Sequence, residues 1–175
     1  MIVREHRRLR RSVVLAIDIS GSMSGERVQT AAATVGALAA HLWRDDVTVL
    51  AFWSDAAVLA RLGAPVPPDR LIDTILRIPS QGLTNVEFPL QLARRQLAGL
   101  PSRDARVLLL SDCVHNSGPD PRPAAEALPR LDVLLDTSGE HDLQLGRDLA
   151  PAGRGRVARV HGYRQVAGAV SSLFG

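Results

Sequence analysis

The chain has 175 residues and a formal net charge of +3, with 46% hydrophobic and 22% charged residues. That balance is too apolar for a disordered chain, and the length suffices for one domain with a full core. All 21 basic residues are Arg. Five of them (Arg4, Arg7, Arg8, Arg10 and Arg11) face Glu5 alone in residues 1–11, a net +4, whereas sixteen Arg against seventeen acids leave residues 12–175 at −1. This excludes a domain with a broad basic nucleic-acid-binding face and leaves a short basic lead-in, residues 1–11, attached to a near-neutral domain, residues 12–175.

Val13–Ile19 is a short, nearly continuous apolar run, the pattern of a parallel strand covered on both faces. A Ser/Gly/Met loop follows over residues 20–25. Glu26–Trp43 reads as a helix with Val28, Ala32, Val35, Ala39 and Leu42 on its inner face. Asp46–Trp53 is a second strand, and Ala57–Leu62 a short edge strand. The stretch Ala64-Pro65-Val66-Pro67-Pro68 breaks the chain before a helix over Asp69–Ile78, with Leu71, Ile72 and Ile75 inward.

Ser80–Asn85 is a loop, and the helix after it carries Leu90, Leu92, Ala93, Leu97 and Leu100 as apolar positions. Arg106–Leu110 is a buried strand, and His115–Pro123 a Gly/Pro/Asn loop. The remainder alternates: helix Ala124–Leu128, strand Val133–Leu135, helix Leu143–Leu149, strand Arg156–Val160, helix Tyr163–Phe174. Strands separated by helices predict an α/β fold with a doubly wound, mostly parallel central sheet, helices on both faces and one short antiparallel edge strand. With 3% aromatic residues, the core is built from Leu, Val, Ala and Ile, and base-stacking platforms are not expected.

Cys113 is the single cysteine, which suits a reducing compartment. The apolar run Val13–Ile17 meets Asp18 before reaching the roughly 7–15 residues of a signal core, and no run approaches the ~20 residues of a membrane span. A soluble, cytoplasmic protein is expected.

In doubly wound sheets, ligands sit beyond the carboxyl ends of the strands where strand order reverses. Three loops fall at such ends: Asp18-Ile19-Ser20-Gly21-Ser22, Gly82-Leu83-Thr84-Asn85, and Ser111-Asp112. If the strands carrying Asp18 and Asp112 are neighbours at the reversal point, two carboxylates and three hydroxyls converge. An oxygen-only set suits Mg²⁺ or Mn²⁺, with Ca²⁺ ranked behind them, and it offers no thiolate or imidazole to Zn²⁺. Neutral hydroxyls leave most of the ion's charge unquenched, so a carboxylate from outside could complete the shell.

The motif Asp18-x-Ser20-x-Ser22, followed by Met23, then Thr84, then Leu109-Leu110-Ser111-Asp112, resembles the metal-ion-dependent adhesion site of the von Willebrand factor A domain, in a form similar to the bacterial intracellular members. Leu83 stands where that family often has a second Gly, and Cys113 where it commonly has Gly. The resemblance runs over roughly residues 12–174. It implies that Ser20, Ser22 and Thr84 bind the ion directly and that Asp18 and Asp112 bind through water, or one of them directly. It also implies a non-enzymatic, protein-binding module whose partner supplies an acidic residue, with bacterial members resembling adaptors of AAA+ ATPases of the MoxR or magnesium-chelatase type.

Other readings of the same residues stand beside it. Asp-x-Ser-x-Ser alone is what a capped strand-to-helix turn also uses. Thr84-x-x-Glu87 fits a capping box, although Pro89 favours a later helix start. Cys113 and His115 could supply a nucleophile and a base, but no third orienting group is identifiable. A metal-assisted phosphoester hydrolase would have His115 as its only base. The aspartyl-nucleophile phosphatases need a second Asp where Ser20 stands, and no phosphate loop of the Walker type exists without Lys. The Arg segment could serve an acidic partner, a membrane surface or nucleic acid.

Overall fold

A computed structural model describes residues 10–21, 25–54, 57–62, 67–78 and 82–175. Ser22 and Met23, Arg4, Arg7 and Arg8, the Ala64–Val66 part of the chain break, and Ser80 therefore lie outside the described residues.

The described residues build a six-stranded sheet from β1 (Ser12–Asp18), β2 (Asp46–Phe52), β3 (Ala57–Leu62), β4 (Ala105–Ser111), β5 (Leu131–Asp136) and β6 (Val157–Val160), in the order β3-β2-β1-β4-β5-β6. Neighbours pair in parallel except β2 with β3, which is antiparallel, as expected of the edge strand. Six helices cover it: α1 (Glu26–His41), α2 (Pro68–Arg77), α3 (Glu87–Leu97), α4 (Arg122–Glu126), α5 (Leu143–Ala152) and α6 (Val166–Phe174). Alternation along each strand supplies two cores. Val13, Leu15 and Ile17 of β1 pack with α1, α2 and α6, whereas Val14 and Ala16 pack with α3, α4 and α5. Both faces of β1 and β4 are thus buried, which is why these strands read as unbroken apolar runs.

The helices depart from hydropathy in two places. In α1 the buried residues are Arg27, Thr30, Ala31, Thr34, Val35 and Leu38; of the predicted stripe Val35 and Leu42 are buried, whereas Val28, Ala32 and Ala39 are only partly so. Alanines line both sides of the predicted stripe, so apolarity barely distinguishes the faces. The polar members of the true face are satisfied: Thr34 Oγ1 donates to the Thr30 carbonyl at 2.8 Å, and Arg27 makes ion pairs described below. In α3, Leu100 falls beyond the helix end and is 44% exposed. The helix begins at Glu87, with Pro89 inside its first turn, so no later start is needed.

Tyr163–Gln165 forms a separate 3₁₀ turn before α6 rather than its first turn. Part of the basic lead-in is also docked. Arg11 donates from its backbone N–H (2.9 Å) and Nε (3.2 Å) to the Asp45 carboxylate, tying the entry of β1 to that of β2.

Candidate functional site

The chain order of the strands reverses between β1 and β4, and the crevice beyond their carboxyl ends is where the candidate residues gather. Asp18 is the last residue of β1. The register pairs Ile17 with Leu110, so Asp18 comes level with Ser111 on β4. Ser111 Oγ donates to Asp18 Oδ2 at 2.6 Å, and Ser20 donates from both Oγ (2.6 Å) and N–H (2.9 Å) to Asp18 Oδ1. Asp18 is nonetheless almost wholly buried, and burial pushes its carboxyl up from 3.8 to about 6. The three hydrogen bonds oppose that push, and the nearby Asp112 charge adds to it.

The second loop is held against the first and third by its backbone. Gly21 N–H donates to the Gly82 carbonyl (3.4 Å), and Thr84 N–H donates to Asn116 Oδ1 at 2.8 Å. Asn116 and Ser117 return two N–H bonds to the Thr84 carbonyl, both 3.1 Å. Thr84 is buried, and among the described residues its hydroxyl has no hydrogen-bond partner. It does not form the predicted capping box. Asn85 serves the start of α3 instead, its Oδ1 accepting from Phe88 N–H at 3.1 Å.

Asp112 follows the last residue of β4 and is fully buried. Its Oδ1 accepts from Val114 N–H (2.9 Å), and its Oδ2 accepts from Arg27 Nη1 at 2.6 Å. Arg27, the second residue of α1, is buried too. Its Nη2 donates to the Glu140 carbonyl (2.8 Å), its Nε to Ser138 Oγ (3.3 Å), and Nε lies 3.7 Å from Asp136 Oδ1. Asp136, at the end of β5, repeats the Asp18 turn: Ser138 donates N–H (2.9 Å) and Oγ (2.5 Å) to Asp136 Oδ1. The other oxygen, Asp136 Oδ2, is buried with no hydrogen-bond partner among the described residues.

Of the five predicted ligand positions, the structure draws Asp18, Ser20, Thr84 and Asp112 into one hydrogen-bonded set of loops, and Ser22 lies outside the described residues. Sequence reasoning missed Arg27, Asn116, Asp136 and Ser138. One signal was available: Asp136-Thr137-Ser138-Gly139 has the same Asp-x-Ser-Gly pattern as Asp18-Ile19-Ser20-Gly21.

The donors are oxygens of carboxylates and hydroxyls, and among the described residues no group of three or more His, Cys, Asp or Glu is placed to hold a metal. That chemistry matches a hard divalent cation and not a thiolate- or imidazole-seeking one. The groups that could do nucleophilic chemistry are otherwise engaged. Cys113 is buried, at φ 60°, and burial together with the Asp18 and Asp112 charges drives its thiol far above the ordinary range. His115 Nδ1 accepts from Val86 N–H at 3.1 Å, pinning the start of α3. Among the described residues no helix is long and apolar enough to cross a membrane.

A family model described as "von Willebrand factor type A domain" matches residues 13–115. Solved structures of similar fold include an aerotolerance-related membrane protein from Bacteroides fragilis NCTC 9343 with multiple mutations to serines. It is 17% identical at a TM-score of 0.74, over 93% of this chain and 98% of that one. The conserved hypothetical protein BatB from Bacteroides thetaiotaomicron is 19% identical at a TM-score of 0.71, over 94% and 98%. A von Willebrand factor type A protein from Catenulispora acidiphila is 19% identical at a TM-score of 0.70, over 91% of this chain and 40% of that one. At these identities the likeness concerns the fold. No curated protein matches the sequence.

Proposed function

We propose a function from one premise: this chain belongs to the von Willebrand factor type A domain family, whose members are commonly protein-interaction modules. In our reading it binds a protein partner through a divalent ion, Mg²⁺ or Mn²⁺, held by Asp18, Ser20, Ser22, Thr84 and Asp112. The partner lends a carboxylate to the ion. The observation that carries this reading is the state of Asp18. A carboxylate buried at the end of β1, pushed up to about 6 despite three hydrogen bonds, sits near the Asp112 carboxylate, and the loop carrying Thr84, whose hydroxyl has no partner among the described residues, is bonded to the same turn. Such a site is costly without a cation and is improved by one.

The ion, when bound, supplies a charged centre with a coordination position for an outside carboxylate. The chain's own contribution is to hold the oxygens in place. Ser111 and Ser20 orient Asp18, Asn116 and Ser117 fix the backbone of Thr84, and Val114 N–H orients Asp112. The engagement of Cys113 and His115 favours binding over catalysis. An AAA+ ATPase of the MoxR or magnesium-chelatase type is the partner class that the sequence resemblance implies, with ATP hydrolysis belonging to the partner.

Titration calorimetry with Mg²⁺ and Mn²⁺ tests the site: heat is expected for the wild type and none for Asp18→Ala. A pull-down in Mg²⁺ against EDTA then identifies the partner. No metal-dependent heat in the wild type removes the mechanism. Metal-dependent turnover of a generic phosphoester, lost in Asp112→Ala, replaces it with a hydrolase.

A further inference from the structure

We infer that Arg27 is a built-in cation that competes with the metal for Asp112, and that Asp136 is the station that receives Arg27 when it lets go. The inference rests on the metal-site reading above and concerns how that site is controlled.

Asp18 and Asp136 end β1 and β5, and Asp112 directly follows β4 between them; all three are buried. By formal charge these three carboxylates and the guanidinium of Arg27 sum to −2, the charge one divalent cation balances. Arg27 stands between two of them, 2.6 Å from Asp112 Oδ2 and 3.7 Å from Asp136 Oδ1. The pairing is lopsided. Asp112 has partners on both oxygens, whereas Asp136 keeps Oδ2 buried without any among the described residues. An unpartnered carboxylate oxygen in a buried site is a standing attraction for the nearest guanidinium.

The site is shaped for that guanidinium. The Glu140 carbonyl and Ser138 Oγ receive two of its N–H groups on the Asp136 side, so they can steady it as it moves away from Asp112. Gly139 leaves the room: a Cβ there would lie 2.8 Å from Arg27 Nη2. A second positive charge arriving at Asp112 repels Arg27 toward Asp136, and the oxygen it leaves becomes available. Arg27 also lies in the first turn of α1, so occupancy of the site is coupled to that turn. Asp136 acts through Arg27 and is a positioning residue.

Mg²⁺ dissociation constants from titration calorimetry test this on the wild type, Arg27→Gln, Arg27→Lys, Asp136→Asn and the double variant Arg27→Gln/Asp136→Asn. Circular dichroism verifies folding. Arg27→Gln is expected to bind Mg²⁺ about tenfold or more tightly, because the competing charge is gone. Arg27→Lys, a point charge that cannot span both carboxylates, falls between it and the wild type. Asp136→Asn weakens binding about threefold or more, because the carboxylate that draws Arg27 away from Asp112 is gone. In the Arg27→Gln background that effect disappears.

Unchanged affinity in Arg27→Gln, or an Asp136→Asn effect that persists without Arg27, overturns the inference and leaves the metal site standing. Binding by Arg27→Gln alone, with none by the wild type, overturns the metal reading for the native chain and supports the competition. No binding by either overturns both. Should Arg27→Gln fail to fold, Arg27→Lys and Asp136→Asn decide: shifts in opposite directions support the inference, and any other pattern overturns it.

Discussion

Ser111 Oγ donates to Asp18 Oδ2 across the β1–β4 boundary at 2.6 Å, and the same hydroxyl oxygen accepts from Cys113 N–H at 2.9 Å. One serine thereby ties the first carboxylate of the site to the turn that leaves β4. Ser111→Ala removes both bonds and leaves a buried carboxylate oxygen short of a donor. We expect a loss of about 1–3 kcal/mol in urea unfolding and a further rise in the Asp18 titration midpoint, read by NMR.

The raised Asp18 carboxyl has a defined pH signature in the metal-free protein. Between about pH 4 and 6 the folded chain holds a proton that the unfolded chain has released. The Asp18 contribution to stability therefore falls as pH rises through that window, by about 3 kcal/mol over its span, and is flat above it. Urea unfolding of the wild type relative to Asp18→Asn isolates this slope. A difference that does not change between pH 4.5 and 7 contradicts the burial account.

Thr84→Ala separates folding from binding. The backbone of Thr84 makes the three bonds that join its loop to Asn116 and Ser117, whereas its hydroxyl has no partner among the described residues. Stability should change by less than about 1 kcal/mol, while Mg²⁺ affinity falls about tenfold or more. Calorimetry and thermal unfolding on one preparation read both.

Cys113 should be inert in the folded chain, being buried with its thiol far above the ordinary range. An aromatic disulfide reagent at pH 8 is expected to release no chromophore from the native protein and one equivalent in denaturant. Reaction without denaturant would place the β4 exit turn nearer to solvent than the structure has it.

Asp132 supplies a control at the opposite end of the sheet. At the start of β5 it accepts from Arg106 and from Arg130 Nε (3.1 Å) and Arg156 N–H (2.9 Å). The Arg106 guanidinium stacks 4.0 Å from the Phe174 ring centroid. Asp132→Ala strands Arg106 in a buried site and should cost about 3–5 kcal/mol. Mg²⁺ affinity measured well below the new melting temperature should be unchanged.

The strand–helix order, the antiparallel edge strand and the three loops bearing Asp18, Thr84 and Asp112 were legible in the sequence. Each depends on residues close together in the chain: apolar runs covered on two faces, Pro breaks, and Asp or Ser at strand ends. Which face of α1 is buried was not legible, because alanines make several faces similarly apolar and the buried face includes the polar Arg27, Thr30 and Thr34. The partners of Arg27, Asp112 and Asp136, lie 85 and 109 positions away, and only the parallel pairing of β4 with β5 brings them to one side of the helix. The cap of α3 went to Asn85 for a similar reason, since Thr84 is held by a loop 32 residues further on. The sequence by itself thus determined that oxygen ligands gather beyond the strands. The tertiary structure alone decided that one of the two carboxylates already has a cation, because ion pairs between distant residues follow strand order and not local pattern.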